Sequence, residues 1–123
     1  TKVTSNPGSW AGTYLIVYEA GSCVMNGGLS TMDSASNYKS VSISGGKIAA
    51  DSTTNACAIT IAASGSGYTI KTASGYYIGR TANSNGMNTS TSTKYENTIS
   101  LLSDGTVNLT IPPRAVVTVK LIP

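Results

Sequence analysis

Apolar and polar residues along this chain alternate with a period of two, and no segment carries helical periodicity of useful length. From Gly65 to Gly79 the sequence runs Gly-Ser-Gly-Tyr-Thr-Ile-Lys-Thr-Ala-Ser-Gly-Tyr-Tyr-Ile-Gly. Tyr68 and Ile70 stand two apart, as do Tyr76 and Ile78, the spacing at which alternate side chains share one face of a sheet. The stretch predicts a short strand, a glycine turn and a second short strand. Tyr76 and Tyr77 are adjacent and are expected on opposite faces, one in the core and one exposed.

Other elements follow from the same pattern. Gly12 to Glu19 is apolar at consecutive positions. It predicts a strand covered on both faces, or one whose inner face meets the core while Trp10 and Tyr18 close a barrel end. Ala20-Gly21-Ser22 turns the chain into a short return strand, Cys23 to Met25. Lys39 to Ile48 predicts a hairpin about Gly45-Gly46, with Val41 and Ile43 alternating with serines. Ala56 to Ala62 places Cys57, Ile59 and Ile61 on one face. A further hairpin is expected about Asp104-Gly105, and Pro112-Pro113 separates it from a closing strand, Ala115 to Ile122. The polar runs Leu29 to Asn37, Ala49 to Asn55 and Arg80 to Tyr95 read as connections.

These elements make one all-β domain over residues 1–123, a compact antiparallel β-sandwich or small barrel. An internal repeat supports an alternative. Tyr14-x-Ile16-x4-Gly21-x2-Val24 matches Tyr68-x-Ile70-x4-Gly75-x2-Ile78 at an offset of 54 residues, and Val107-x-Leu109 with Val117 is a degraded third echo. Two good copies and a poor one suggest an incomplete β-trefoil-like repeat. Strand, glycine turn, strand also recurs by chance in small β proteins.

Composition narrows the function classes. Charged residues make up 11% of the 123, far below the roughly 25% of an average soluble protein, while Gly, Ser, Thr and Asn abound. That balance suits short strands and tight turns on a secreted or cell-surface protein, and the 40% hydrophobic content argues against disorder. Eight Lys and Arg against five Asp and Glu leave a net charge of +3 with no basic stripe, so nucleic acid is not an expected partner. No apolar run reaches the roughly 18 residues of a membrane-spanning helix. Thr1 in place of an initiator Met is compatible with a leader already removed. Cys23 and Cys57 are compatible with one disulfide or with two buried thiols.

Catalysis has little material here. The chain has no His, so Ser and Cys lack their usual base, and its carboxylates are Glu19, Asp33, Asp51, Glu96 and Asp104, mostly in turns. No enzymatic activity and no cofactor are expected. Asp33, Asn37, Asp51 and Asn55 could offer oxygens to calcium but show no loop signature. Binding is better supplied. Seven Tyr and Trp10 offer flat faces that can stack on sugar rings, and Asn, Ser and Thr offer neutral hydrogen-bond partners. The candidate contact residues are Tyr76, Tyr77, Arg80, Asn83 and Asn85, and the candidate partner is a glycan or cell-surface polysaccharide.

Trp10 to Glu19, Asn26 to Asp33, Ser74 to Gly79 and Thr81 to Gly86 resemble a β-rich domain of secreted multi-domain proteins of gut Bacteroidetes, appended there to nucleases and other extracellular proteins. The resemblance implies a compartment, secreted or cell-surface, more than an activity. The closing run, Ile111 to Lys120, departs from it and is similar to the last strand of the β-sandwich modules that end many glycoside hydrolases. The expected function is a non-catalytic carbohydrate-binding or surface-attachment module. The alternatives are a structural or adhesive module of a cell surface or viral particle that binds protein, and an accessory domain packed against a catalytic neighbour.

Overall fold

β1 (Gly12–Tyr18) is the strand against which the others assemble, and its sequence shows why: both of its faces are apolar. In the computed structural model, which describes residues 2–26, 37–79, 88–102, 107–111 and 115–122, Tyr14 and Ile16 turn to one hydrophobic cluster. Leu15 and Val17 turn to another. The first cluster is the main core, with Trp10, Tyr14, Ile59, Ile61, Ile70, Ile78 and Ile99 buried. The second gathers Val17, Val24 and Cys57, flanked by Val41, Ile43 and Ile48. Each fully buried Ile contributes about 1.5–3 kcal/mol relative to exposure, so the four at 59, 61, 70 and 78 anchor the sheet.

After β1 come β2 (Cys23–Met25), β3 (Tyr38–Ser40), a five-residue helix α1 (Ser52–Ala56), β4 (Ile59–Ser64) and β5 (Gly67–Thr72). The chain continues through β6 (Tyr77–Gly79), β7 (Asn88–Ser90), β8 (Thr98–Leu101), β9 (Val107–Ile111) and β10 (Ala115–Ile122). The protein is all-β and every ladder is antiparallel. The order is β7-β6-β5-β4-β1-β10-β9-β8, with β2 and β3 branching from β1. The sheet is not closed into a barrel by a ladder. It curls until Asn97, at the entry to β8, meets Tyr68 of β5 in a single bridge, with reciprocal N–H···O bonds of 2.7 and 2.8 Å.

The internal repeat is physical. β1 is followed by the β2–β3 pair before β4, and β5 is followed by the β6–β7 pair before β8. β9 passes to β10 with no such pair between them. Tyr14 faces Ile59 across the β1–β4 ladder, and its repeat partner Tyr68 faces Asn97. Asn97 thus stands where the first copy has a core isoleucine, and Ile99 answers Ile61. Asn97 is 1% exposed. Its Nδ2 donates to the carbonyls of Ile78 (3.2 Å), Tyr68 (3.4 Å) and Tyr95 (3.5 Å), while its Oδ1 is buried without a partner.

Glycines make room for this closure. A Cβ on Gly67 would come 2.6 Å from the Asn97 carbonyl, and one on Gly79 would collide with Cβ and Cγ of Tyr95. The segment entering β8 crosses so close to both that only hydrogen fits.

Three expectations are corrected. The Lys39 to Ile48 hairpin reduces to one bridge, Ser44↔Lys47, around Gly45-Gly46, whose positive φ angles (57° and 72°) suit a tight two-residue turn. Val41, Ile43 and Ile48 pack on the second cluster instead of forming a ladder. Ala49 to Asn55 is not a plain connection, because Asp51 caps α1: its carboxylate accepts from the Thr54 N–H at 2.9 Å while the Thr54 hydroxyl accepts from the Asp51 N–H at 2.9 Å. Cys57 caps the other end of α1 and joins the second cluster, so it does not share a face with Ile59 and Ile61.

Candidate functional site

Register fixes where the candidate tyrosines point. Cross-strand partners lie on the same face of a sheet. Thr13 of β1 faces Thr60 of β4, Thr60 faces Lys71 of β5, Lys71 faces Tyr77 of β6, and Tyr77 faces Ser90 of β7. The row runs across five strands, about 19 Å at the usual inter-strand spacing. Its inward neighbours Ile59, Ile61, Ile70 and Ile78 are buried, so the row points outward. Thr13, Thr60 and Lys71 are exposed, and Tyr77 and Ser90 are half-buried. Lys71 Nζ lies 5.3 Å from the Tyr77 ring centroid, a cation–π contact that orients the ring on the surface.

Tyr76 sits at the turn before β6, on the other side of the strand from Tyr77, and it too is half-buried. Its N–H donates to the Thr72 hydroxyl at 3.1 Å, and its carbonyl accepts from the Thr72 N–H at 2.8 Å. Gly75, with φ of 95°, supplies the left-handed residue this turn needs. Arg80, Asn83 and Asn85 lie outside the described residues, as do Asp33 and Asp104.

The remaining aromatics divide. Trp10 and Tyr14 are core residues, 6.4 Å apart between ring centroids, so neither is a sugar-stacking platform. Burial, and then the neighbouring Tyr68 phenol, raise the Tyr14 pKa above its ordinary 10.0. Tyr68 is half-buried and its hydroxyl accepts from the Trp10 N–H at 3.3 Å. Tyr18 and Tyr38 are the opposite case, exposed at 67% and 55%. The sequence pattern counts both among the seven tyrosines able to stack on sugars but singles out neither as a contact residue. The available signal was that Tyr-Lys-Ser at 38–40 has no apolar partner to bury beside it.

Two of the acidic groups, Glu19 and Asp51, are committed to structure. Glu19 pairs with Lys2 at 3.3 Å. Asp51 lies on the wall of a 460 Å³ depression with Ser40, Ser42 and Thr53, but its carboxylate is the helix cap. The Thr54 backbone hydrogen bond holds its pKa below 3.8. No group of three or more His, Cys, Asp or Glu able to hold a metal occurs among the described residues.

Cys23 and Cys57 are free thiols. Val24 turns into the cluster that holds Cys57, so its strand neighbour Cys23 faces the other way, and the disulfide expected as an alternative is not formed. No helix among the described residues is long and apolar enough to cross a membrane. No protein-family model, curated protein or solved structure matches this chain.

Proposed function

We propose that the chain is a non-catalytic carbohydrate-binding or surface-attachment module of a secreted or cell-surface protein. The observation that carries the reading is the outward row Thr13, Thr60, Lys71, Tyr77 and Ser90. It combines one aromatic face, three hydroxyls and one ammonium on a rigid sheet, the mixture that stacks on a sugar ring and satisfies its hydroxyls. A neutral or uronic-acid-containing polysaccharide fits that chemistry, with Lys71 available to a carboxylate. Of the candidates drawn from sequence, Tyr77 carries the stacking role and Tyr76 shapes the turn beneath it.

The test is a glycan array with affinity electrophoresis in neutral and acidic polysaccharide gels, using wild type, Tyr77→Ala, Tyr76→Ala and Lys71→Ala. Tyr77→Ala is expected to weaken binding about tenfold, which is about 1.4 kcal/mol, with little change in melting temperature. Failure of the wild type to bind any glycan would overturn the reading and leave the protein-binding alternative.

A further inference from the structure

A second surface of the sheet has the features of a ligand site and lies outside the Tyr77 row. On β1, β2 and β3 the register pairs Tyr18 with Cys23 and Cys23 with Ser40, and it pairs Met25 with Tyr38. These side chains and Ile16 share one face, and Ile16 and Met25 pack against the main core. The result is an open groove of about 240 Å³, with Ile16 and Met25 in its floor and Tyr18 and Tyr38 on its walls. Two exposed phenol rings over an apolar floor are unusual in a chain that buries Trp10 and Tyr14 completely enough to be core.

The Tyr18 ring is placed by the backbone. After β1 the chain makes a 3-10 turn over Glu19–Gly21, and Ser22 takes a left-handed conformation (φ 48°, ψ 50°). The turn folds Gly21 against the ring, so that a Cβ there would come 2.7 Å from Cδ1 and 2.9 Å from Cε1 of Tyr18. Gly21 and its repeat partner Gly75 therefore serve different needs: Gly75 supplies a positive φ, and Gly21 supplies space for an aromatic wall.

Among the described residues, none that lines the groove is charged. A neutral occupant fits them, with an apolar face for the rings and hydroxyls for the phenol oxygens. Tyr18 and Tyr38 are two strands and two residues apart, a diagonal of about 12 Å between Cα atoms. That separation is longer than one sugar ring and suits a chain lying across the strands.

We propose that this groove is a second carbohydrate site, specific for a neutral oligosaccharide and independent of the Tyr77 row, so that one chain binds two sugars chains at once. The proposal rests on reading the protein as a glycan-binding module. Soluble neutral hexasaccharides of β-1,4-glucose, β-1,4-xylose, α-1,4-glucose and β-1,4-mannose serve as probes in calorimetry and native mass spectrometry. Wild type is expected to take two equivalents of one of them, Tyr77→Ala one, and Tyr77→Ala combined with Tyr18→Ala and Tyr38→Ala none. Gly21→Ala keeps both rings but displaces Tyr18, and is expected to weaken the groove site several-fold while Tyr77-dependent binding persists. Backbone amide shifts in Tyr18, Met25 and Tyr38 on titration report the site without any substitution. A single equivalent that depends on Tyr77 and ignores Tyr18→Ala, Tyr38→Ala and Gly21→Ala overturns this proposal and leaves the module reading intact. Absence of binding by every probe and every array glycan overturns both.

Discussion

Replacing Asn97 tests how the curled sheet is held. In Asn97→Ala the carbonyls of Ile78 and Tyr95 lose the amide that lies 3.2 and 3.5 Å from them, while the Tyr68 carbonyl, 3.4 Å from that amide, keeps the backbone N–H of residue 97 at 2.7 Å. Leaving buried acceptors unsatisfied costs about 1–3 kcal/mol. The void adds about 0.7 kcal/mol at about 24 cal/mol per Å³ for some 30 Å³ of missing atoms. Release of the unpartnered Oδ1 offsets part of this, for a net loss of about 2 kcal/mol. At a urea slope of about 1.5 kcal/mol/M, the midpoint falls by about 1.3 M. The assay is urea unfolding followed by Trp10 fluorescence, since Trp10 is the one tryptophan and is 4% exposed. Asn97→Ile decides between bulk and hydrogen bonding, because it installs the residue that Ile59 supplies at the matching place in the first repeat. It is expected to destabilise as well. Asn97→Asp is expected to be worse than either at neutral pH, with a carboxylate facing three carbonyl oxygens, and to recover as acid protonates it. An Asn97→Ile midpoint equal to wild type would refute the reasoning, since the site would then need only volume.

Four further outcomes are expected. Gly79→Ala lowers stability by about 2 kcal/mol through collision with Tyr95, while Gly8→Ala, whose Cβ meets nothing within 4 Å, leaves the melting temperature unchanged. Asp51→Ala lowers the melting temperature at pH 7. Because the folded pKa of Asp51 lies below 3.8, its contribution is present above that value and is lost as pH falls through the folded pKa, so the gap between variant and wild type closes in acid. A thiol reagent labels Cys23 in the native protein and reaches Cys57, 1% exposed, only in denaturant; labelling of neither thiol without a reductant would show a disulfide instead. Tyr14, with its raised pKa, makes folding stability fall as pH climbs above 10.0, and Tyr14→Phe flattens that fall in alkaline melting curves.

Much of the fold was legible because sheets advertise themselves by alternation. Tyr68, Ile70 and Ile78 fell on the inner face as their spacing required, and consecutive apolar residues in β1 did mean two covered faces. What the pattern missed had short range or no period. Asp51 and Thr54 form a capping box that holds five residues of helix, too few to show a 3.6-residue repeat. Gly67 and Gly79 carry no periodic signal, yet both are demanded by a segment entering from residues 95–97. Cys57 looked like a strand residue because Ile59 and Ile61 follow at even spacing, and the helix end shifted it to the other cluster. For the candidate site, Tyr76 and Tyr77 lie on opposite sides, yet both are half-buried, so the expected division into one core and one exposed tyrosine does not hold. Which of them faced outward depended on the Lys71↔Tyr77 register, a relation between strands that no local pattern encodes.

The pairing of β1 with β10 has a mechanical consequence. The two strands are antiparallel, and the chain enters β1 at the same end of their ladder where it leaves β10, with Leu15 opposite Ile122, Ile16 opposite Leu121 and Val17 opposite Lys120. Tension applied between Gly12 and Ile122 therefore loads that ladder as a zipper, one rung after another, and never as a set of rungs in shear. Pulled in this direction, the protein should yield at low force and in small steps. A grip on β4 and β9 instead would stress β1 and β10 side by side, making resistance to extension a property of the attachment points as much as of the fold.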